Sequence, residues 1–215
     1  MSAVRDEVAS PGPRGVIWAY LPLSLLLAVR AHDRPGEFLE DENLTVSLPR
    51  RLGLSDVVDR EIRNYERAAR WGRKADAGDV ANLVRLVLRR PDSAAILRDT
   101  GERVAAEYVR RVPRAWLRLV RALPTRASLA LARRAGRRLL LRMVGDGDVE
   151  LAGRPAAVRV RSALAATDTT CTACVLYATA LEGIVRAYAG DRPRVEQQGC
   201  ASLGAMYCEW TIAEA

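Results

Sequence analysis

The chain has 215 residues, 49% of them hydrophobic, enough to bury a core, so it reads as one folded domain with at most a structured extension and not as a disordered polymer. Its 34 Lys+Arg against 26 Asp+Glu leave a net charge of +8, carried almost wholly by arginine because Lys74 is the one lysine. His32 is the one histidine, in a turn-like Ala31-His32-Asp33-Arg34-Pro35, which excludes multi-histidine metal sites and argues against catalysis built on histidine.

Residues 1–14 read as a loose, flexible tail. Gly15 to Val29 is an uncharged, mostly apolar run. It is short of the roughly 20 residues a membrane span needs, is interrupted by Pro22 and lacks a signal-peptide cleavage pattern, so the expectation is a buried helix. A polar connector over 32–43 leads to a strand-like Leu44–Leu48, stopped by Pro49. From Ser55, Val58, Ile62, Tyr65 and Ala69 recur at helical spacing until Gly72. Asp79 is the expected cap of a second helix, with Val80, Leu83, Val84 and Val87 on one face and Pro91 closing it. Ser93 is the expected cap of a third, running through Ile96, Leu97, Val104 and Tyr108 to Val112. A fourth helical stretch covers 114–144, nicked at Pro124 and ended by Gly145-Asp146-Gly147.

The periodicity then changes from helical to alternating. Val149–Leu151 and Val158–Arg161 predict a hairpin around Gly153-Arg154-Pro155. Thr167 to Thr170 offer N-caps for a helix from Cys171 to Ala189, stopped by Gly190. Two further strands are expected over Arg194–Cys200 and Met206–Ile212, joined through Ser202-Leu203-Gly204. The fold class that follows is α+β: N-terminal helices packed on a C-terminal antiparallel sheet in the order β-β-α-β-β. The division expected is a helical N-terminal extension over 15–75 and an α+β domain over 76–215.

All four cysteines, Cys171, Cys174, Cys200 and Cys208, fall in that last unit. Cys171 and Cys174 share one side of a helix start, where the backbone amides stabilise a thiolate. Cys200 and Cys208 flank the last turn and face each other across it if the turn centres on Gly204. Two thiols from a helix start and two from a hairpin can surround a tetrahedral zinc ion. The spacing C-x2-C-x25-C-x7-C is not a common zinc-ribbon spacing, and buried cysteines of an ordinary core or a dithiol redox pair stand beside zinc as readings.

The stretch from Cys174 through Leu181-Glu182-Gly183, with Val195 to Cys200, Gly204, Cys208-Glu209-Trp210 and Ile212, resembles the 4-vinyl reductase domain family, which is related to TRAPP subunits of vesicle tethering. The shared features are a cysteine opening a helix, a small-residue helix containing glycine, and a strand pair reading C-x-x-x-G-x-x-x-C-x-[FW]-x-[IV]. Ile96-Leu97 to Gly101 is similar to an earlier glycine-bearing helix of that family. The resemblance implies zinc ligands at Cys174, Cys200 and Cys208, plus an acidic residue three positions before the second cysteine. Gln197 stands at that place, and Cys171 is the nearby thiol that could substitute for it. Such a site is structural, since nothing beside it supplies a general base.

From Tyr108 to Gly145 there are eleven arginines and no acidic residue. Arg114, Arg118 and Arg121 share a helix face opposite Trp116, Leu119, Val120 and Leu123, and Arg133, Arg134, Arg137 and Arg138 continue the pattern. A basic amphipathic helix with Trp suits an anionic surface, although a solvated face in an arginine-rich protein has the same appearance. No nucleic-acid module accompanies it, which disfavours nucleic acid as a partner.

The function expected is a non-enzymatic, zinc-stabilised binding or regulatory module, cytoplasmic and homodimeric, that senses a small apolar ligand or serves as a platform for a protein partner. Two alternatives stand beside it. One is an auxiliary carrier in tetrapyrrole or bacteriochlorophyll biosynthesis, with no autonomous reductase activity because no Gly-rich nucleotide fingerprint is present. The other is a peripheral membrane tether that uses the arginine-rich segment 108–145.

Overall fold

The computed structural model describes residues 15–33, 56–153, 156–161 and 170–213. The expected tail over 1–14, the strand-like Leu44–Leu48 and the Thr167–Thr169 caps lie outside them. Among the described residues there are seven helices and two antiparallel sheets, an α+β arrangement with the helices mostly N-terminal.

The apolar run at the start is not one helix. Val16–Trp18 form strand β1, and the helix α1 follows over Tyr20–His32. Helix α2 spans Asp56–Arg70, and strand β2, Lys74–Asp76, runs antiparallel to β1 with Ile17 opposite Ala75. Pro22 does not break α1. The first helical bond runs from the Leu23 N–H to the Ala19 carbonyl at 3.4 Å, so Pro22 sits in the first turn, where no N–H is required.

Helix α3, Ala77–Leu88, is capped by Asp76 and not by the expected Asp79: the Asp76 carboxylate accepts from the Gly78 N–H at 2.8 Å and the Asp79 N–H at 3.2 Å. Asp76 thus ends β2 and opens α3, an extended residue at the junction of the two, as an N-cap must be. Helix α4, Ser93–Arg110, has Asp92 at its N-cap position, but that carboxylate is held by Arg90 at 2.8 Å and makes no cap bond. Ser93, the expected cap, is already the first helical residue. The stretch expected over 114–144 divides at its expected nick, Pro124, into helices α5, Arg114–Arg121, and α6, Thr125–Leu140, each preceded by a proline (Pro113 and Pro124), and it ends at Leu140.

The hairpin β3 (Asp148–Ala152) and β4 (Ala157–Arg161) is followed by helix α7 (Cys174–Ala189), then β5 (Arg194–Gly199) and β6 (Cys208–Ala213). The four strands form one antiparallel sheet in the order β3-β4-β6-β5. In β6 the alternation is regular: Cys208, Trp210 and Ile212 are buried, while Glu209 and Thr211 are partly exposed. Glu209 pairs with Arg159 at 3.2 Å on the open face. Among the described residues the helices pack on one side of this sheet, the arrangement that an antiparallel ladder with a period-two pattern serves.

Helix α7 is the centre of the molecule, with ten buried residues including Leu176, Tyr177, Leu181 and Ile184. Tyr177 meets Trp210 of the sheet with ring centroids 6.1 Å apart. On other faces α7 packs against α4 and α6. The α4–α7 crossing is built on glycine: a Cβ at Gly101 would lie 2.2 Å from Thr179 Oγ1 and 2.7 Å from the Leu176 carbonyl, and one at Gly183 would lie 2.5 Å from Ala105 Cβ. Each helix therefore offers a glycine to the other. One buried cluster runs from Ile17 through the helices to Ile212, so α1 and β1 share the core of the C-terminal sheet.

Candidate metal centre

The residues ahead of α7 make a tight turn. Cys171 has a positive φ of 64°, unusual for a residue with a side chain, and its carbonyl accepts from the Cys174 N–H at 3.1 Å. The helix has no side-chain N-cap: Ala173 holds that position, between Cys171 in the turn and Cys174 as the first helical residue. The second pair comes from the β5–β6 connection. Gly199 opposite Glu209 is the last ladder pair, and Cys200 and Cys208 are the next residues toward the turn. A 3-10 turn, Ala201–Leu203, and Gly204 at φ 93° close it, with the Leu203 and Ala205 N–H groups donating to the Cys200 carbonyl.

The two elements bring all four sulfurs to one place. Cys171 and Cys200 form a disulfide with their Cα atoms 6.4 Å apart. The sulfur of Cys174 lies 3.5 Å from that of Cys200 and 3.2 Å from that of Cys208. Cys171, Cys174 and Cys200 have their sulfurs within 4.8 Å of one another, a group that could hold a metal ion. Cys174 and Cys208 are wholly buried, Cys200 nearly so, and Cys171 is partly exposed at the rim.

Gln197, at the position where the resemblance implies a carboxylate, points its amide at this cluster. Its Nε2 donates to Cys171 Sγ at 3.0 Å and to the Gly199 carbonyl at 3.3 Å. It therefore meets a sulfur as a hydrogen-bond donor. The Cys208 thiol is pushed down to about 7, chiefly because the Cys174 S–H donates to it; the Ala201 N–H, 3.4 Å away, assists, and burial works the other way.

The donor set suits a thiophilic ion. Zn–S bonds of about 2.3 Å in a tetrahedron require sulfurs about 3.8 Å apart. The 3.2 and 3.5 Å separations around Cys174 fall short of that by about 0.6 and 0.3 Å, so the sulfurs must spread to admit an ion, and the Cys171–Cys200 bond must be reduced before those two sulfurs can ligate.

The arginines expected to form a charged surface divide into two groups. Arg121 Nε donates to the Ala187 carbonyl at 2.8 Å, tying α5 to the carboxyl end of α7. Arg137 Nε donates to the Val149 carbonyl at 2.8 Å and Arg133 to the Ala152 carbonyl, tying α6 to β3. Arg133 is half-buried, and desolvation lowers its pKa. These three are structural. Arg114, Arg118, Arg134 and Arg138 are exposed.

One feature had no clear signal in the sequence. A groove of about 410 Å³ lies between α1, α2 and α3, with Leu26, Val58, Leu83 and Leu86 as its apolar wall and Glu61, Tyr65, Asp79 and Asn82 as its polar one. Tyr65 has its pKa raised by burial and by the nearby Asp79 and Glu61. The helical periodicity of Val58 and Tyr65 was legible, but the gap beside them depends on how three helices are set against one another. His32, the single imidazole, is exposed in the last turn of α1.

The chain matches no protein-family model, no curated protein and no solved structure.

Proposed function

We propose that the protein is a non-enzymatic binding and regulatory module, similar in kind to 4-vinyl reductase domains, whose C-terminal sheet and central helix are stapled by zinc on Cys171, Cys174, Cys200 and Cys208. The observation that carries this reading is the meeting of four sulfurs from two elements, the turn before α7 and the β5–β6 connection. In an ordinary core, apolar side chains of many kinds would fill this junction. Four cysteines, three of them buried, and a donating Gln197 amide at the rim instead make a small, electron-rich cluster. Zinc held there would supply cross-linking and no catalysis, because four protein ligands leave no open position for a water. Under reduction the Cys171–Cys200 bond opens and all four thiolates become ligands.

The binding part of the reading rests on the α1–α2–α3 groove. Its volume lies within the range of about 300–1,000 Å³ usual for small-molecule sites, and its wall mixes apolar contacts with a few convergent polar groups. A ligand seated there touches three helices, and α1 and α3 pack on α4, which crosses α7 at Gly101 and Gly183. Occupancy is thereby coupled to the centre of the fold.

The test is elemental mass spectrometry on protein purified under reducing conditions without chelator. About one zinc per chain, lost together with thermal stability in a Cys200→Ser/Cys208→Ser variant, is the expected result. Four thiols that all alkylate at full stoichiometry in a metal-free protein of unchanged melting temperature would remove the zinc staple.

A further inference from the structure

We propose that α5 and the residues after it form a membrane-docking surface for anionic phospholipid. Helix α5 is held to the body by few contacts. Val120 is buried, Leu117 is partly so, and Arg121 bonds the carbonyls of Ala187 and Arg186. The apolar stripe expected on this helix is consequently split. Val120 enters the core, whereas Trp116, Leu119 and Leu123 are 46%, 56% and 38% exposed. They recur at i, i+3 and i+7 and so line one side of the helix and its exit.

The charge around this stripe is of one sign. No acidic residue occurs between Tyr108 and Gly145, and eleven arginines do. Arg114, Arg118 and Arg121 line, with Leu117, a cavity of about 190 Å³ along the helix. Its wall is almost wholly apolar, built from Leu117 and the aliphatic stems of the arginines, so the charged heads available to a phosphate are those of the exposed Arg114 and Arg118, while Arg121 is held by the Ala187 and Arg186 carbonyls. Arg126 is exposed just beyond, at the start of α6.

Three occupants compete for this face, and two explain only part of it. A second copy of the chain would cover the apolar stripe but set one arginine cluster against another. A nucleic acid would answer the arginines but gain little from Leu119 and Leu123. A bilayer with anionic headgroups answers both: Trp116 suits the interfacial region, the leucines enter the acyl boundary, and the arginines take the phosphates. No helix among the described residues is long and apolar enough to cross a membrane, so the attachment is to the surface. This surface lies outside the cysteine cluster, and its test does not depend on the metal.

Co-sedimentation of the full chain with phosphatidylcholine vesicles, with and without phosphatidylserine, tests the assignment. Pelleting is expected with the phosphatidylserine vesicles alone and should weaken as salt rises. Arg114→Gln/Arg118→Gln should bind about 30-fold more weakly, at roughly a factor of five for each arginine near the surface. Trp116→Ser/Leu119→Ser should lose pelleting at low salt with an unchanged melting temperature, since neither side chain is in the core. Equal binding to neutral vesicles, or full binding by either double variant, overturns the proposal. So does dimerisation in light scattering that Trp116→Ser/Leu119→Ser abolishes, or single-stranded RNA that binds the protein while vesicles do not.

Discussion

Substituting Gly101 by alanine tests the centre of the fold. The added Cβ would stand 2.2 Å from Thr179 Oγ1, 2.7 Å from the Leu176 carbonyl oxygen and 3.0 Å from the Ala180 nitrogen. The first contact could be relieved by a rotamer change, but Thr179 also donates to the Val175 carbonyl at 2.6 Å and would lose that bond. The other two are backbone atoms of α7, so the helices themselves must separate. Overpacking of this kind costs about 3 kcal/mol, the upper part of its usual range, because backbone cannot yield as a side chain can. Replacing glycine by alanine inside a helix returns about 1 kcal/mol of propensity. The net loss of about 2 kcal/mol lowers the melting temperature of a domain this size by about 4–8 °C.

The assay is calorimetric or circular-dichroism melting, with Gly153→Ala as the control, since a Cβ there would meet nothing within 4 Å. Gly183→Ala, whose Cβ would meet Ala105 Cβ at 2.5 Å, should destabilise through the same crossing. Once one alanine has forced α4 and α7 apart the second costs less, so the double variant should fall short of the sum of the singles. A Gly101→Ala protein that melts at or above the parent temperature would refute the close crossing, because propensity alone would then decide the outcome.

In metal-free protein with the Cys171–Cys200 bond intact, the ultraviolet absorbance of the Cys208 thiolate should rise with a midpoint near pH 7. Cys174→Ala removes the donated hydrogen bond and should move that midpoint up toward 9.0; a parent protein that already titrates there would contradict the geometry. Because the folded thiol sits below its unfolded value, folded protein binds fewer protons between about pH 7 and 9. Stability should therefore climb with pH across that window and be lost again as pH falls through 7. Asp76→Ala should lower the melting temperature by about 2–4 °C, the loss of one N-cap worth about 1 kcal/mol, and Asp79→Ala by less; the reverse order would return the cap to Asp79.

What the sequence determined by itself is the set of elements whose signals are local. The switch from helical to alternating periodicity near Gly147, the glycine after Ala189 and the turn at Gly204 are properties of neighbouring residues, and β3, β4, α7, β5 and β6 follow in the expected order. The grouping of Cys171, Cys174, Cys200 and Cys208 was legible for the same reason, since a helix start and a hairpin each present two thiols. Partners remote in the chain had to wait for the tertiary structure. Strand β1 is three residues inside an apolar run with no period of its own, and it exists because β2, far along the chain, offers it a ladder. Which sulfur faces which is likewise set by how the turn before α7 meets the β5–β6 connection: Cys171 with Cys200, Cys174 with Cys208. Periodicity fixed the relative phase of Trp116, Leu119, Val120 and Leu123, but their burial depends on where the body of the protein lies, and packing on α7 took Val120 and left the other three to solvent. A pattern of hydrophobicity specifies which residues share a side; only the neighbours in space decide which side is inside.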